Sequence, residues 1–195
     1  MTQRFKLILL GIGLIVLIGL DQYTKWLVLN YEPFNAMGCL EGTARCGKYE
    51  LSNFLDYSMV WNRGMSFGAI QSTGIMRWVL FSLQCVIAGF FLFWYLIRER
   101  FESKAVGIDL NPIDRRLTAF ALVLIIGGAI GNVIDRARFG AVVDFIDVSD
   151  IGFFPWVFNV ADSAVTVGAG LLFLDFILTW RAQQKAGDDK DKQIS

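Results

Sequence analysis

Histidine is absent from this chain of 195 residues, which excludes several kinds of catalytic and metal site. Without an imidazole, the chain has no Ser-His or Cys-His nucleophilic pair and no zinc site with histidine ligands. Charged residues are also scarce, at 18% of the sequence, whereas typical globular proteins contain about 25%. The 18 basic and 18 acidic residues balance, so the overall charge does not favour a nucleic-acid partner.

Hydrophobic residues are abundant instead: they make up 55% of the chain, which contains 6 Trp and 17 Phe. A membrane-spanning helix needs about 20 mostly apolar residues, and four stretches meet this requirement. They cover about residues 7–29, 75–97, 117–134 and 157–180. The sequence therefore predicts an integral membrane protein, mainly α, with four transmembrane helices.

The positions of Lys and Arg predict the orientation, because cytoplasmic segments of membrane proteins are enriched in these residues. The amino-terminal tail, the loop at residues 98–116 and the carboxyl tail carry most of the basic residues. We therefore expect both termini in the cytoplasm and residues 30–74 and 135–156 on the exoplasmic side. Residues 1–182 should form a single membrane domain, and the polar tail at residues 183–195 should be disordered. A cleaved signal peptide is the alternative interpretation of the first segment, but the segment lacks a small-x-small site followed by a soluble domain, and polar residues lie within its continuation.

The exoplasmic segments contain two runs that are typical of β-strands, at residues 51–61 and 141–146. We expect them to form a small β or extended cradle at the membrane surface. Cys39 and Cys46 lie in the first exoplasmic segment, where an oxidising compartment allows a disulfide. Two free thiols are the alternative.

Polar residues near membrane helices are costly, so each one is a candidate functional residue. Because successive spans alternate in direction, the end of the first, the end of the third and the start of the fourth meet on the exoplasmic side. Polar residues cluster at these three ends and in the loop between the last two spans: Asp21, Gln22, Lys25, Asn132, Asp135, Arg136, Asp144, Asn159 and Asp162. Two carboxylates in a partly dry cleft do not both ionise easily, and such a pair can activate water for attack on a peptide carbonyl.

Three pairs in this cluster also have purely structural explanations. Asn159 with Asp162 is explained as a helix N-cap with its acidic partner, and Asp135 with Arg136 as an ion pair at the membrane interface. Asp21 with Lys25 is explained as an i,i+4 pair whose charges neutralise each other. Asp144 has no obvious partner nearby in the sequence. Composition alone does not select it among the acids of its loop.

Four motifs resemble, in their order along the chain, those of the bacterial lipoprotein signal peptidases, also called signal peptidase II. They are Asp21-Gln22-x-x-Lys25, Asn62-x-Gly64-x-x-Phe67-Gly68, residues 127–136 followed by 140–145, and residues 158–163. The resemblance covers nearly the whole chain, from about residue 7 to residue 180. It implies an intramembrane aspartyl endopeptidase that removes the signal peptide from diacylglyceryl-modified prolipoproteins, cutting just before the lipidated cysteine.

The resemblance also implies a role for each site residue. The catalytic pair matches Asp144 and Asp162. The predicted substrate-binding residues are Asn62, Gly128, Asn132, Arg136 and Asn159, and the predicted supporting residues are Asp21, Lys25 and Asp135. The expected partners are prolipoprotein substrates, membrane lipid and globomycin-type inhibitors, with no metal or other cofactor. A monomer is expected in the bacterial inner membrane, spanning it several times, with the active site at the exoplasmic (periplasmic) face.

Two loops depart from compact members of the family: those at residues 31–57 and 98–116 are longer. Other functions also need weighing. A proton or cation relay would use Asp21, Lys25, Asp135 and Asp162, but the charges stop at one surface and leave the inner halves of the helices apolar. A Ser-Lys protease would pair Lys25 with Ser163 or Ser66, although Asp21 is the closer partner of Lys25. No specific feature favours a non-catalytic scaffold or lipid-binding subunit.

Overall fold

The computed structural model describes residues 3–39, 45–63, 79, 82–83, 85–86, 89–90, 93, 112–152 and 156–194. Within this part of the chain, three helices are long and apolar enough to span a membrane: Leu7–Leu29, Leu117–Phe139 and Val160–Arg181. These match three of the four predicted spans. The second predicted span, at residues 75–97, lies largely outside the described residues, but the positions described within it are helical. Four spans and the cytoplasmic location of both termini therefore stay predictions.

Four helices of the structure have defined bounds. They are α1 (Gln3–Leu29), the short α2 (Glu32–Ala36), α3 (Pro112–Phe139) and α4 (Val160–Ile194). Helix α3 begins with a proline, which suits the first helical position because that residue needs no N–H donor. It ends where Gly140 adopts a φ of 68° and donates its N–H to the Arg136 carbonyl oxygen at 3.0 Å. A glycine in the left-handed region commonly ends a helix in this way.

The carboxyl tail differs from the prediction. We expected residues 183–195 to be disordered, but α4 continues to Ile194. The reason is local: residues 182–186 are Ala, Gln, Gln, Lys and Ala, which are good helix formers, and no proline follows. The start of the fourth span also differs, because residues 157–158 form a strand and the helix begins at Val160.

A four-stranded antiparallel sheet forms where the sequence predicts a cradle, and its exoplasmic location stays a prediction. Its strands are β1 (Arg45–Glu50), β2 (Asp56–Asn62), β3 (Val142–Asp147) and β4 (Val157–Phe158), paired in that order. Residues 51–55, which were expected to be extended with β2, form the turn between β1 and β2 instead. A bulge lies in β2 between Tyr57 and Val60, where β2 advances by three residues against two in β3. Bulges of this kind redirect side chains near functional sites.

One face of the sheet packs on the end of α1 and on α2. The buried core of this layer consists of Val28, Phe34, Cys39, Met59, Trp61, Ala141, Val143 and Phe145. Because side chains alternate along a strand, Val143 and Phe145 enter this core while Asp144 lies on the opposite face of β3. The sheet therefore presents Asp144 away from the apolar layer.

Glycines let α3 approach both neighbouring long helices. A Cβ atom at Gly127 would lie 2.6 Å from Leu17 Cδ2 in α1, and one at Gly128 would collide with the carbonyl oxygen of Ala161 in α4. Close contact between helices in membranes depends on such small residues. This packing brings together the ends of α1, α3 and α4 that lie next to the sheet.

Candidate active site

Asp144, in the middle of β3, is buried at 1% exposure and held by two amide groups. Its Oδ1 accepts a hydrogen bond from Asn159 Nδ2 at 2.7 Å, and its Oδ2 accepts one from Asn62 Nδ2 at 2.9 Å. Asn62 is at the end of β2, so the strand pairing itself brings this donor to the acid. Both oxygens of Asp144 are thus oriented by side chains from other elements.

Asp162 lies in the first turn of α4 and is the second acid of the predicted pair. Its Oδ1 accepts a hydrogen bond from Asn132 Nδ2 at 2.8 Å, and its backbone N–H donates to Asn159 Oδ1 at 2.9 Å. The N-cap explanation of Asn159 is therefore confirmed. Because the same side chain also donates to Asp144, capping and contact with the acidic pair occur together.

The surroundings of Asp144 favour its protonated form. Burial raises the pKa of Asp144 well above the ordinary value for aspartate, and the nearby charge of Asp162 raises it further. Hydrogen bonds from Asn62 and Asn159 act in the opposite direction, because they favour the ionised carboxylate. Two carboxylates whose charges raise each other's proton affinity can hold one proton between them, which provides an acid and a base in one place.

Lys25 links the supporting residues. Its Nζ lies 2.8 Å from Asp21 Oδ2, 2.8 Å from Asp135 Oδ2 and 3.2 Å from Asn132 Oδ1, and its side chain is only 2% exposed. Asp21 and Lys25 do form the i,i+4 ion pair, but the Lys25 ammonium also pairs with Asp135 of α3. Asp135 is fully buried beside Lys25, so it does not reach water as the interfacial explanation required.

The two supporting carboxylates also hold the backbone next to the acidic pair. Asp21 Oδ1 accepts the N–H of Ala161 at 3.0 Å, and Asp135 Oδ2 accepts the N–H of Val143 at 3.1 Å. Ala161 and Val143 immediately precede Asp162 and Asp144. Each supporting acid therefore fixes the chain one residue before one member of the pair.

The remaining predicted residues lie at the edge of this cluster. Arg136 is partly buried, and its Nη1 donates to the Asn132 carbonyl oxygen at 3.5 Å. Gly128 lies against α4, where its lack of a side chain admits the Ala161 carbonyl; contact with substrate stays a prediction. Residues 64–68 of the second motif lie outside the described residues.

Gln22, a member of the predicted polar cluster to which no specific role was assigned, belongs to the network. Its Nε2 donates to Asp135 Oδ1 at 2.9 Å and to the carbonyl oxygen of Gly131 at 3.2 Å. Its position beside Asp21 in the first motif was the available signal.

One argument from the sequence is wrong. The inner halves of the helices are not uniformly apolar, because Asp175 is buried in α4 and accepts a hydrogen bond from Thr118 Oγ1 at 2.8 Å. Asp175 is 13 residues beyond Asp162, or about 20 Å along the helix. The signal in the sequence is an acid within the apolar run Leu-Phe-Leu-Asp-Phe, far from the cluster of polar residues at the helix ends.

Two further features of the site region complete the description. Cys39 and Cys46 form a disulfide, with their Cα atoms 5.3 Å apart, so the first of the two alternatives is correct. Within the described residues, no group of three or more His, Cys, Asp or Glu side chains is arranged to hold a metal ion. The side chains gathered in the site are two carboxylates, the amides of three asparagines, a lysine paired with two further carboxylates, and an arginine.

The chain is similar in sequence to a family of known proteins along most of its length. A family profile described as "Signal peptidase (SPase) II" matches residues 13–178. A protein from Methylobacterium radiotolerans named "Lipoprotein signal peptidase" is 36% identical over 167 residues, which are 84% of this chain and 82% of that protein. A protein of the same name from Caulobacter vibrioides is 38% identical, covering 84% of this chain and 83% of its own length. A third from Burkholderia thailandensis is 37% identical over 85% of each chain.

Two solved structures, each described as a bacterial membrane enzyme, share the fold. One has a TM-score of 0.63 at 23% identity and covers 86% of this chain and 87% of its own. The other has a TM-score of 0.62 at 24% identity, with 86% and 91% covered. At this level of identity, the likeness shows the arrangement of helices and sheet.

Proposed function

Because the chain belongs to the signal peptidase II family of bacterial membrane proteases, we propose that it is an aspartyl endopeptidase acting on diacylglyceryl-modified prolipoproteins. It removes the signal peptide by cutting just before the lipidated cysteine. The observation that carries the proposal is the pair formed by the buried Asp144 and the half-buried Asp162, whose oxygens are oriented by the amides of Asn62, Asn159 and Asn132.

In the proposed reaction, a water molecule between the two acids attacks the carbonyl carbon of the residue before the lipidated cysteine. The ionised carboxylate accepts a proton from this water, and the protonated carboxyl donates a hydrogen bond to the developing oxyanion. The tetrahedral intermediate then breaks its C–N bond, and the carboxyl donates its proton to the departing amine. Asp144 and Asp162 fill these two roles between them.

Residues around the pair position the substrate. Asn132 and Asn159 orient the scissile backbone, and Arg136, which is near the pair and partly exposed, holds a carbonyl group or the lipid-bearing segment. Asn62 lines the substrate site, and the extended chain that ends at Asn62 covers the site as a cradle. The substrate enters sideways from the bilayer, its signal helix lying between helices and its acyl chains remaining in lipid.

The setting of the reaction follows from the same proposal. The protein spans the bacterial inner membrane several times, acts as a monomer without a metal, and has its site at the exoplasmic face. Apolar side chains on the outside of α1, such as Ile15 at 72% and Val16 at 63% exposure, suit contact with lipid. Globomycin-type inhibitors are expected to occupy the site and block the acidic pair.

The test uses the purified protein in lipid with one prolipoprotein prepared in two forms, with and without the diacylglyceryl group on its cysteine. A gel shift measures cleavage, and mass spectrometry identifies the new amino terminus. We expect cleavage of the lipidated form alone, with the lipidated cysteine as the first residue of the product. Equal cleavage of both forms would contradict the substrate assignment, and cleavage of neither by folded protein would refute the proposed activity.

A further inference from the structure

The Cys39–Cys46 disulfide joins two parts of the cradle. Cys39 follows α2, is fully buried, and belongs to the core beneath the sheet. Cys46 is in β1, opposite Met59 of β2. The bond therefore ties the backbone at Cys39 to the strand that pairs with β2.

Trp61 connects this disulfide to β2. Its indole N–H donates to the Cys39 carbonyl oxygen at 2.8 Å, and its ring packs edge-on against Phe139 at the end of α3, with ring centres 5.5 Å apart. The side chain is only 9% exposed. Trp61 is thus held both by the disulfide-bonded segment and by the helix that carries Asn132.

Asn62 follows Trp61 directly. Because neighbouring side chains on a strand point to opposite faces, a Trp61 anchored in the core directs Asn62 to the face where it donates to Asp144 Oδ2 at 2.9 Å. A small displacement of Trp61 would move this donor by a similar amount. Hydrogen bonds weaken steeply with misalignment, so the contact with Asp144 is sensitive to the position of Trp61.

We propose that Trp61 is a positioning residue for the cleavage reaction and that the Cys39–Cys46 disulfide fixes the carbonyl to which it binds. The inference rests on the proposed function. Substrate binding along the helices depends little on this contact, whereas the chemical step depends on the orientation of Asp144. The loss should therefore fall on kcat rather than on KM.

The pH dependence of kcat distinguishes a positioning role of Trp61 from a general contribution to the stability of the fold. The hydrogen bond from Asn62 favours ionised Asp144, so its loss raises the pKa of Asp144 further. Among the described residues, the charged groups that act on Asp144 include Asp162 from α4, Lys25 from α1 and Arg136 from α3. The alkaline limb of the pH–kcat profile should consequently move to higher pH when Trp61 loses its N–H.

The experiment compares Trp61→Phe, the double variant Cys39→Ala/Cys46→Ala, and the combined triple variant with wild type on the lipidated substrate. Trp61→Phe keeps an aromatic ring and removes the N–H donor. We expect kcat to fall roughly three- to tenfold, as the modest net strength of one hydrogen bond allows, with KM nearly unchanged. Because both changes act through one contact, the kcat of the triple variant should be no lower than that of the less active of the other two variants. Cys85→Ala, which removes a free and exposed cysteine, is the matched control and should retain wild-type kcat.

Thermal unfolding of each variant gives the folded fraction, to which kcat is normalised. If the double cysteine variant does not fold, Trp61→Phe decides alone through its kcat and pH profile. Cleavage by wild type together with an unchanged kcat and pH profile for Trp61→Phe would overturn this inference and leave the proposed function intact. Losses that add independently in the triple variant would also overturn it. If wild type itself does not cleave, the proposed function fails and this inference fails with it.

Discussion

The Asn159 side chain binds four groups. Its Oδ1 accepts the backbone N–H of Asp162, and its Nδ2 donates to Asp144 Oδ1 at 2.7 Å, to Asn132 Oδ1 at 3.2 Å and to the carbonyl oxygen of Val143 at 3.3 Å. A residue with one structural and one functional contact cannot be assigned from spacing alone. At the scale of residues, the site is built from such shared contacts. Their removal should therefore change the chemistry of neighbouring groups as well as local stability.

The pH dependence of cleavage tests these contacts. One carboxyl must keep a proton to give to the departing amine, so cleavage should decline as the pH rises through the raised pKa of Asp144. In Asn62→Ala, Asp144 loses a hydrogen bond that favours its ionised form, and its pKa rises further. The alkaline limb should then lie at higher pH than in wild type, measured as kcat against pH. A limb that stays in place or moves to lower pH would contradict the assignment of this hydrogen bond.

Site residues were predictable from the sequence to different degrees. The convergence of Asp21, Asn132 and Asp162 follows from alternating spans and apolar lengths, and the structure bears it out. Asp144 was identified only through the resemblance to a family, because a strand residue gains its partners through long-range pairing that composition does not reveal. Asp175 was missed because its partner, Thr118, is on another helix.

At the scale of elements, the long helices pack closely because glycines lie where their backbones meet. Gly128 and Gly168 both lie against backbone carbonyls of the opposite helix, those of Ala161 and Ala121. The backbones of α3 and α4 cannot come this close with a Cβ atom between them. The acidic pair depends on this approach because Asn132 and Asp162 belong to these two helices.

Substitution of one glycine on each helix tests the packing. Gly128→Ala places a methyl group against the Ala161 carbonyl and Val165, and we expect a loss of about 1–3 kcal/mol of stability with reduced cleavage. Gly170→Ala in α4 is the matched control, since nothing lies within 4 Å of its added Cβ. It should be neutral or stabilising by up to about 1 kcal/mol. Unfolding in detergent measures both, and equal effects of the two variants would contradict the proposed contact.

Element types were easier to predict than element ends. Apolar length identified α1, α3 and α4, and β-favouring runs identified β2 and β3, because these signals are local. The helical tail of α4 was mispredicted because polarity was read as disorder, although Gln, Lys and Ala favour helix. The turn at residues 51–55 was mispredicted because its apolar residues, such as Leu51 and Phe54, are exposed there rather than buried in a strand.

At the scale of the whole molecule, the sheet and the acidic pair lie at one end of the long helices. The distribution of Lys and Arg predicts that this end of the helices faces the exoplasmic side. The disulfide agrees with this side, since disulfides persist in oxidising compartments.

Cysteine labelling on intact cells tests the orientation. In a Cys85→Ala background, Asn53→Cys in the turn between β1 and β2 and Gln184→Cys near the end of α4 introduce one thiol each at exposed positions. A membrane-impermeant maleimide should label Asn53→Cys directly. It should label Gln184→Cys only after the cytoplasmic membrane is permeabilised. The reverse pattern would show that the orientation is inverted.

The central claim is that Asp144 and Asp162 together perform the cleavage, and one comparison of turnover tests it most directly. Asp144→Asn and Asp162→Asn keep the size of each side chain and remove its acid–base function. Asp150→Asn, in the neighbouring 3₁₀ turn, is the matched control because Asp150 is exposed and pairs with Lys48 at 2.6 Å, away from the pair. With all proteins folded in lipid, we predict that each of the first two variants loses at least about a hundredfold in kcat while Asp150→Asn retains wild-type turnover. Near-normal turnover of the lipidated substrate by either Asp144→Asn or Asp162→Asn would contradict the account.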